Sequence, residues 1–138
     1  QLADAIDEIL RIHPPLIANR RKTIKATTLS GQAIDADERL TLLWASANRD
    51  EAVFRDPDEF RLDRDPELNL LYGKGIHICP GAPLARLVLQ EVMEELLNET
   101  TRFAMATDIL PVHAKYPAGG FDSLMVKLVV DSCCGGCS

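Results

Sequence analysis

One cysteine, Cys79, stands in the segment Tyr72-Gly73-Lys74-Gly75-Ile76-His77-Ile78-Cys79-Pro80-Gly81, with three glycines around it and a helical pattern beginning at Ala82 or Pro83. Glycines at 73, 75 and 81 permit positive φ and close backbone approach, so several N–H groups can converge on one sulfur. The following helix adds the positive end of its dipole. Both effects favour the thiolate, the form that binds a metal or acts as a nucleophile. The bland alternative is a packed core cysteine beside a flexible turn, which would need neither the glycines nor the helix start.

A second spacing of interest is Glu8-x-x-Arg11. At i, i+3 on a helix the two side chains share a face and can pair, which on an open surface contributes only about 0.2–0.5 kcal/mol. The remaining cysteines, Cys133, Cys134 and Cys137, crowd the last residues around a Gly-Gly hinge. Three thiols there could take copper(I), zinc or an iron centre; the plainer expectation for residues 131–138 is a disordered Cys-rich tail. The spacing is no disulfide framework. His13 follows a helix end beside prolines, and His113 lies in a strand-like stretch without ligand-spaced partners, so neither joins the site.

These residues need elements to hold them. Leu2, Ala5, Ile6, Ile9 and Leu10 recur at helical spacing until Pro14 and Pro15 stop the pattern, which predicts a helix from about Leu2 to Ile12. Residues 16–43 mix β-branched and polar types around Ser30-Gly31 and read as short strands with tight turns. Ile24, Thr27, Thr28, Ile34, Leu40, Leu42 and Leu43 are their inward candidates. From Asn48 to Leu70 periodicity disappears, and Asp56-Pro57 and Asp65-Pro66 signal turns. A long meander follows from that, and a loop of such length inside a compact domain points to a functional site nearby. After Gly81, Leu84, Leu87, Val88, Val92 and Leu96 define the apolar face of a helix ending near Asn98, with Glu91, Glu94 and Glu95 on its wet side. Residues 101–130 read as short strands joined by the Pro117-Ala118-Gly119-Gly120 turn. The expected fold class is mixed α and β.

The chain has 138 residues, 46% hydrophobic and 26% charged, enough for one modest core. It contains no apolar run near the length that spans a bilayer, and Gln1 to Glu8 already carries three carboxylates, which is no secretory signal. A cytoplasmic, soluble chain without a membrane partner is expected. The net charge of −6 and a single short basic cluster, Arg20, Arg21, Lys22 and Lys25, argue against nucleic acid.

Tyr72 to Gly81 resembles the heme-binding loop of the cytochrome P-450 family, and Ala82-Pro83-Leu84-Ala85-Arg86 is similar to the bacterial form of its continuation. Tyr72 departs from the family's usual phenylalanine beside the sulfur; the ring is kept and a hydroxyl added. The resemblance implies heme b (iron protoporphyrin IX) with Cys79 as the iron's axial ligand, and Tyr72, Gly73, Gly75 and Gly81 shaping the loop. It makes Glu8-x-x-Arg11 part of a structural network completed by an arginine from the meander: Arg64, with Arg61 as fallback. It offers Arg21, or Arg20, and His77 as partners of the heme propionates. Ala47-Asn48-Arg49-Asp50 is likewise similar to a family segment.

The match runs from about Gln1 to Val130, so residues 1–130 are identified as the C-terminal heme-binding part of a cytochrome P-450-like domain. The family's long central helix, with its oxygen-activating residues, lies upstream of Gln1. The implied function is therefore the heme-thiolate segment of a monooxygenase, an oxidoreductase acting with oxygen, inactive until complemented. A complementing N-terminal chain or self-association would cover it, and a ferredoxin-like protein would supply electrons. The alternative readings are a non-catalytic heme or soft-metal binding module and a truncated remnant.

Overall fold

The computed structural model describes residues 1–130. Helix α1 spans Leu2–Ile12, as its periodicity predicts, and ends at His13, whose N–H still reaches the Ile9 carbonyl before Pro14 prevents continuation. Four small antiparallel sheets follow from eight strands. β1 (Ala18–Lys22) pairs with β4 (Arg39–Leu43), and between them β2 (Thr27–Leu29) pairs with β3 (Gln32–Ile34). The turn linking β2 and β3 places Ser30 and Gly31 at φ 49° and 80°, the positive φ pair of a tight hairpin. β5 (Arg102–Met105) pairs with β8 (Val126–Val129), and β6 (Val112–His113) with β7 (Phe121–Ser123).

Between these sheets lie a one-turn helix, α2 (Trp44–Ala47), the meander, 3₁₀ turns at Pro66–Leu68 and Gly75–His77, and the long helix α3 (Ala82–Glu99). The sequence pattern did not anticipate α2, because a single turn is too short to show a period. The mixed α and β class with small hairpins holds.

The buried centre is small and partly polar. Ile6, Ala18, Phe54, Ala82 and Ala106 are buried together with Glu8, Arg11 and Asn48. Several residues expected to point inward do not. Ile24 is 95% exposed, Leu43 51%, and the predicted apolar face of α3 lies open at Leu84, Leu87, Val88 and Val92. A two-stranded hairpin has no layer behind it, and among the described residues α3 packs chiefly on α1, so much of its amphipathic face has nothing to bury it.

Total accessible surface is 10719 Å² for 15.2 kDa, where a free-standing folded chain of that mass would expose about 7,100 Å². The excess is larger than any eight terminal residues could contribute.

The segment after α1 is fastened to the far end of the chain. Ile17 N–H donates to the Pro117 carbonyl, Gly119 N–H to the Pro15 carbonyl, each at 2.9 Å, and Leu16 bridges Ala118. A Cβ on Gly119 would stand 2.1 Å from the Pro14 carbonyl oxygen, so only glycine allows this approach.

Candidate functional site

Two constructions lie on either side of α1. The first is built on Glu8, which is 5% exposed, and Arg11, 1% exposed. Arg11 donates from Nε to Glu8 Oε2 at 2.7 Å and from Nη2 to Oε1 at 2.9 Å, so the i, i+3 pair is bidentate and shielded from water. Its other donors cross to the Asn48 carbonyl at 2.6 Å and the Pro57 carbonyl at 2.8 Å. Arg64 reaches in from the meander, donating from Nε to Glu8 Oε1 at 2.8 Å, and its Nη groups hold the carbonyls of Arg55, Asp56 and Glu59. Arg61 contributes its backbone N–H to Glu8 at 3.1 Å, while its guanidinium turns away to Asp63 and Asp56.

Burial pushes the Glu8 carboxyl up, but the hydrogen bonds from Arg11, Arg64 and the Arg61 N–H outweigh it and leave the group below its ordinary range. Asp63, hydrogen-bonded by Arg61 on the open surface, is held down at about 2.

Three members of this network carried no signal as such in the sequence. Phe54, 2% exposed, lies under both guanidinium groups, 5.0 Å from Arg11 Cζ and 5.9 Å from Arg64 Cζ. Asn48, wholly buried, donates to Asn69 Oδ1 at 3.1 Å and accepts the Leu70 N–H at 2.8 Å. Asn69 in turn donates to the Asp7 carbonyl at 3.1 Å. The meander is thereby tied down at its start, middle and end, and its last tie leads directly into the cysteine segment.

The second construction is that segment. Gly73 and Gly75 adopt φ 74° and 65°, whereas Gly81 sits at φ −85° as the residue capping α3. Gly73 is required twice over, since a Cβ there would also lie 3.0 Å from the His77 carbonyl oxygen. The turn closes when the Cys79 N–H donates to the Tyr72 carbonyl at 2.7 Å. Cys79 is a free, exposed thiol. A Cβ on Gly81 would lie 3.8 Å from its Sγ, so the missing side chain leaves the sulfur uncovered on that side.

The first turn of α3 holds no acidic residue to offset its positive end, which lies just after the thiol. Converging N–H groups were expected at the sulfur; among the described residues no hydrogen bond reaches Sγ, because the nearby amides serve carbonyls, as Ala82 N–H does that of Cys79 at 3.2 Å. Tyr72 is half-buried, and its phenol is pushed up, first by burial and then by Asp7 and Cys79 against the opposing Arg86.

The other expected residues are more scattered. Arg20 and Arg21 lie on β1, Arg21 donating to the Arg20 carbonyl at 2.9 Å, and His77 is exposed on the 3₁₀ turn before Cys79. His13 and His113, set aside on spacing, line one cleft of about 530 Å³ with Ile17, Arg49 and Phe121; His113 packs on Phe121 at 4.7 Å. The tail at 131–138 lies outside the described residues.

Comparison with known proteins agrees with this arrangement at the level of family. The profile described as cytochrome P-450 matches residues 2–108. Cytochrome P-450 119 of Sulfurisphaera tokodaii is 47% identical over 95 residues, 69% of this chain and 26% of that protein. The steroid C26-monooxygenase of Mycolicibacterium smegmatis is 41% identical over 108 residues, 78% of this chain and 27% of that protein. Among solved structures, the substrate-free cytochrome P-450 CYP150A6 of Mycobacterium marinum superposes with a TM-score of 0.86 at 30% identity, covering 94% of this chain and 34% of the other. The chain thus spans about a quarter of the length of the curated relatives it matches.

Proposed function

The chain belongs to the cytochrome P-450 family, and from that premise we propose that it is the heme-thiolate segment of a monooxygenase, in which Cys79 would bind the iron of heme b. The observation that carries the reading is an uncovered thiol at the start of α3, flanked by exposed apolar side chains: Ile76 is 96% and Ile78 61% exposed. Among the described residues no three His, Cys, Asp or Glu side chains gather to hold a bare ion. A metal at Cys79 must therefore bring its other ligands with it, and iron in an apolar macrocycle does so. When bound, heme supplies redox chemistry with oxygen, to which a thiolate ligand lends electron density.

The chain's own residues do the holding. Gly73 and Gly75 turn the backbone, the Tyr72 carbonyl fixes Cys79 through its N–H, and the bare flank at Gly81 leaves Sγ free to bind. The Glu8–Arg11–Arg64 network acts at a distance, locking the meander so that the residues entering the loop keep their places. Arg21, or Arg20, and His77 would receive the propionates.

Groups that deliver protons to oxygen and select a substrate lie outside these 138 residues in this reading, so the segment alone does not turn over. The open face of α3 and the β5/β8 sheet, including a groove of about 620 Å³ lined by Val92, Leu96, Leu128 and Val130, awaits a covering polypeptide or a second copy. A ferredoxin-like protein would deliver electrons. No described helix is long and apolar enough to cross a membrane, and a cytoplasmic setting remains part of the proposal.

The deciding experiment adds heme to the purified chain, reduces it and exposes it to carbon monoxide, with Cys79→Ala and Cys133→Ala alongside. A thiolate-type Soret band lost only in Cys79→Ala is expected. Uptake indifferent to Cys79 overturns the assignment and turns attention to the thiols of the tail.

A further inference from the structure

We infer that Asp7, Arg86 and Tyr72 form a strut between α1 and α3 that sets the position of the Cys79 loop, with Arg86 as its positioning residue. Asp7 and Glu8 are neighbours on α1, and adjacent helical residues point about 100° apart. Glu8 faces the meander; Asp7 faces α3. There Arg86 donates from Nε to Asp7 Oδ1 and Oδ2 at 3.1 and 3.2 Å, and its Nη2 lies 3.0 Å from Oδ2. The guanidinium, held flat by the carboxylate, covers the Tyr72 ring with Cζ 4.8 Å from the centroid.

The ring so covered belongs to the residue whose carbonyl accepts the Cys79 N–H at 2.7 Å. Force on the ring therefore bears on the same residue that makes the bond placing the cysteine. The other end of the approach is held by the same anchor: the Asp7 carbonyl accepts Asn69 Nδ2, and Asn69 Oδ1 accepts the Leu71 N–H at 2.9 Å. Asp7 thus grips the loop's entry through its backbone and the loop's aromatic residue through its carboxylate.

Asp7 is 17% and Arg86 46% exposed at the side chain, so the pair is partly screened from water and holds better than an open surface pair. The hydrogen bond that Arg86 donates to Asp7 raises Arg86 above its ordinary value, and burial pushes the Tyr72 phenol up. The ring's face, not its hydroxyl, is what the strut uses, and this explains how tyrosine serves at that position.

The inference bears on heme only through the reading of Cys79 as its ligand, so the test begins without heme. Hydrogen–deuterium exchange is followed in the peptide covering residues 72–81, with the α1 peptide as internal reference. Arg86→Gln and Tyr72→Leu should each speed exchange of the loop roughly fivefold to tenfold while α1 is unchanged, and Tyr72→Phe should restore the parent rate. Tyr72→Leu leaves the Asp7–Arg86 pair intact, so its effect separates holding the loop from joining two helices.

Loop exchange in Arg86→Gln within about twofold of the parent overturns the strut, as does a Tyr72→Phe variant as fast as Tyr72→Leu. With heme and carbon monoxide added, Arg86→Gln should broaden or shift the Cys79-dependent Soret band. If the parent shows no such band yet loop exchange responds as stated, the ligand assignment falls and the strut stands.

Discussion

The Glu8 network and the Cys79 loop are both anchored on α1, yet one is finished and the other open. Around Glu8 the carboxylate and both arginines find partners within these residues, water is excluded, and Phe54 closes the stack from below. At Cys79 the N–H and carbonyl are both hydrogen-bonded while the thiol is free and exposed. A self-contained network serves stability; the uncovered thiol is the group that the proposed function uses.

The contrast is broken most severely at Glu8. Glu8→Ala takes the carboxylate away from buried Arg11 and half-buried Arg64 and should lower unfolding stability by about 3–5 kcal/mol in urea melts. A loss below about 1 kcal/mol would mean that the network is decoration. Next comes Gly119→Ala, which forces a Cβ into the Pro14 carbonyl and should cost about 1–3 kcal/mol by the same measurement.

Acid then sharpens the difference. Glu8 titrates below its ordinary value near 4.5, so its contribution is present above that pH and lost as pH falls through the depressed folded value. Melts from pH 6 downward should show this decline, and Glu8→Gln should flatten it.

Cys79→Ala should change stability by less than about 0.5 kcal/mol, because the thiol is exposed and unpartnered, while abolishing the thiolate Soret band altogether. Smallest of all, Arg61→Ala should leave the melting midpoint unmoved, its guanidinium pairing only with exposed Asp63 and Asp56. A Cys79→Ala melt as damaging as Glu8→Ala would erase the distinction between the two regions.

The sequence made one region more legible than the other, and for different reasons. α1 and α3 announced themselves through period and proline, and their observed limits follow the expectation closely. Cys79 drew attention through its glycines, two of which do adopt positive φ. Glu8-x-x-Arg11 looked like an ordinary surface pair until family resemblance supplied the meander arginine, because burial is a tertiary property that spacing cannot express. Phe54, Asn48 and Asn69 were hidden as network members by the aperiodic meander, where nothing marks one polar residue as the buried one. Arg86 stands in the motif at the start of α3, where nothing marks Asp7, far away in sequence, as its partner. The apolar face of α3 was legible as a face, and its exposure agrees with the expectation that something outside these residues covers it, since a pattern records what a helix can bury and not what buries it.

The stitch between Pro14–Ile17 and Pro117–Gly119 has a kinetic meaning. It joins the segment leaving the first helix to the turn before β7, so β1 to β6, the meander, the Cys79 segment and α3 lie inside the loop it closes. Contacts of such long sequence separation form slowly, because the entropy of closure is lost before the contact returns anything. On the ribosome, α1 and the first hairpins would be made and waiting while the turn that closes the loop had yet to emerge. The segments inside the loop take up local order before this contact ties them together.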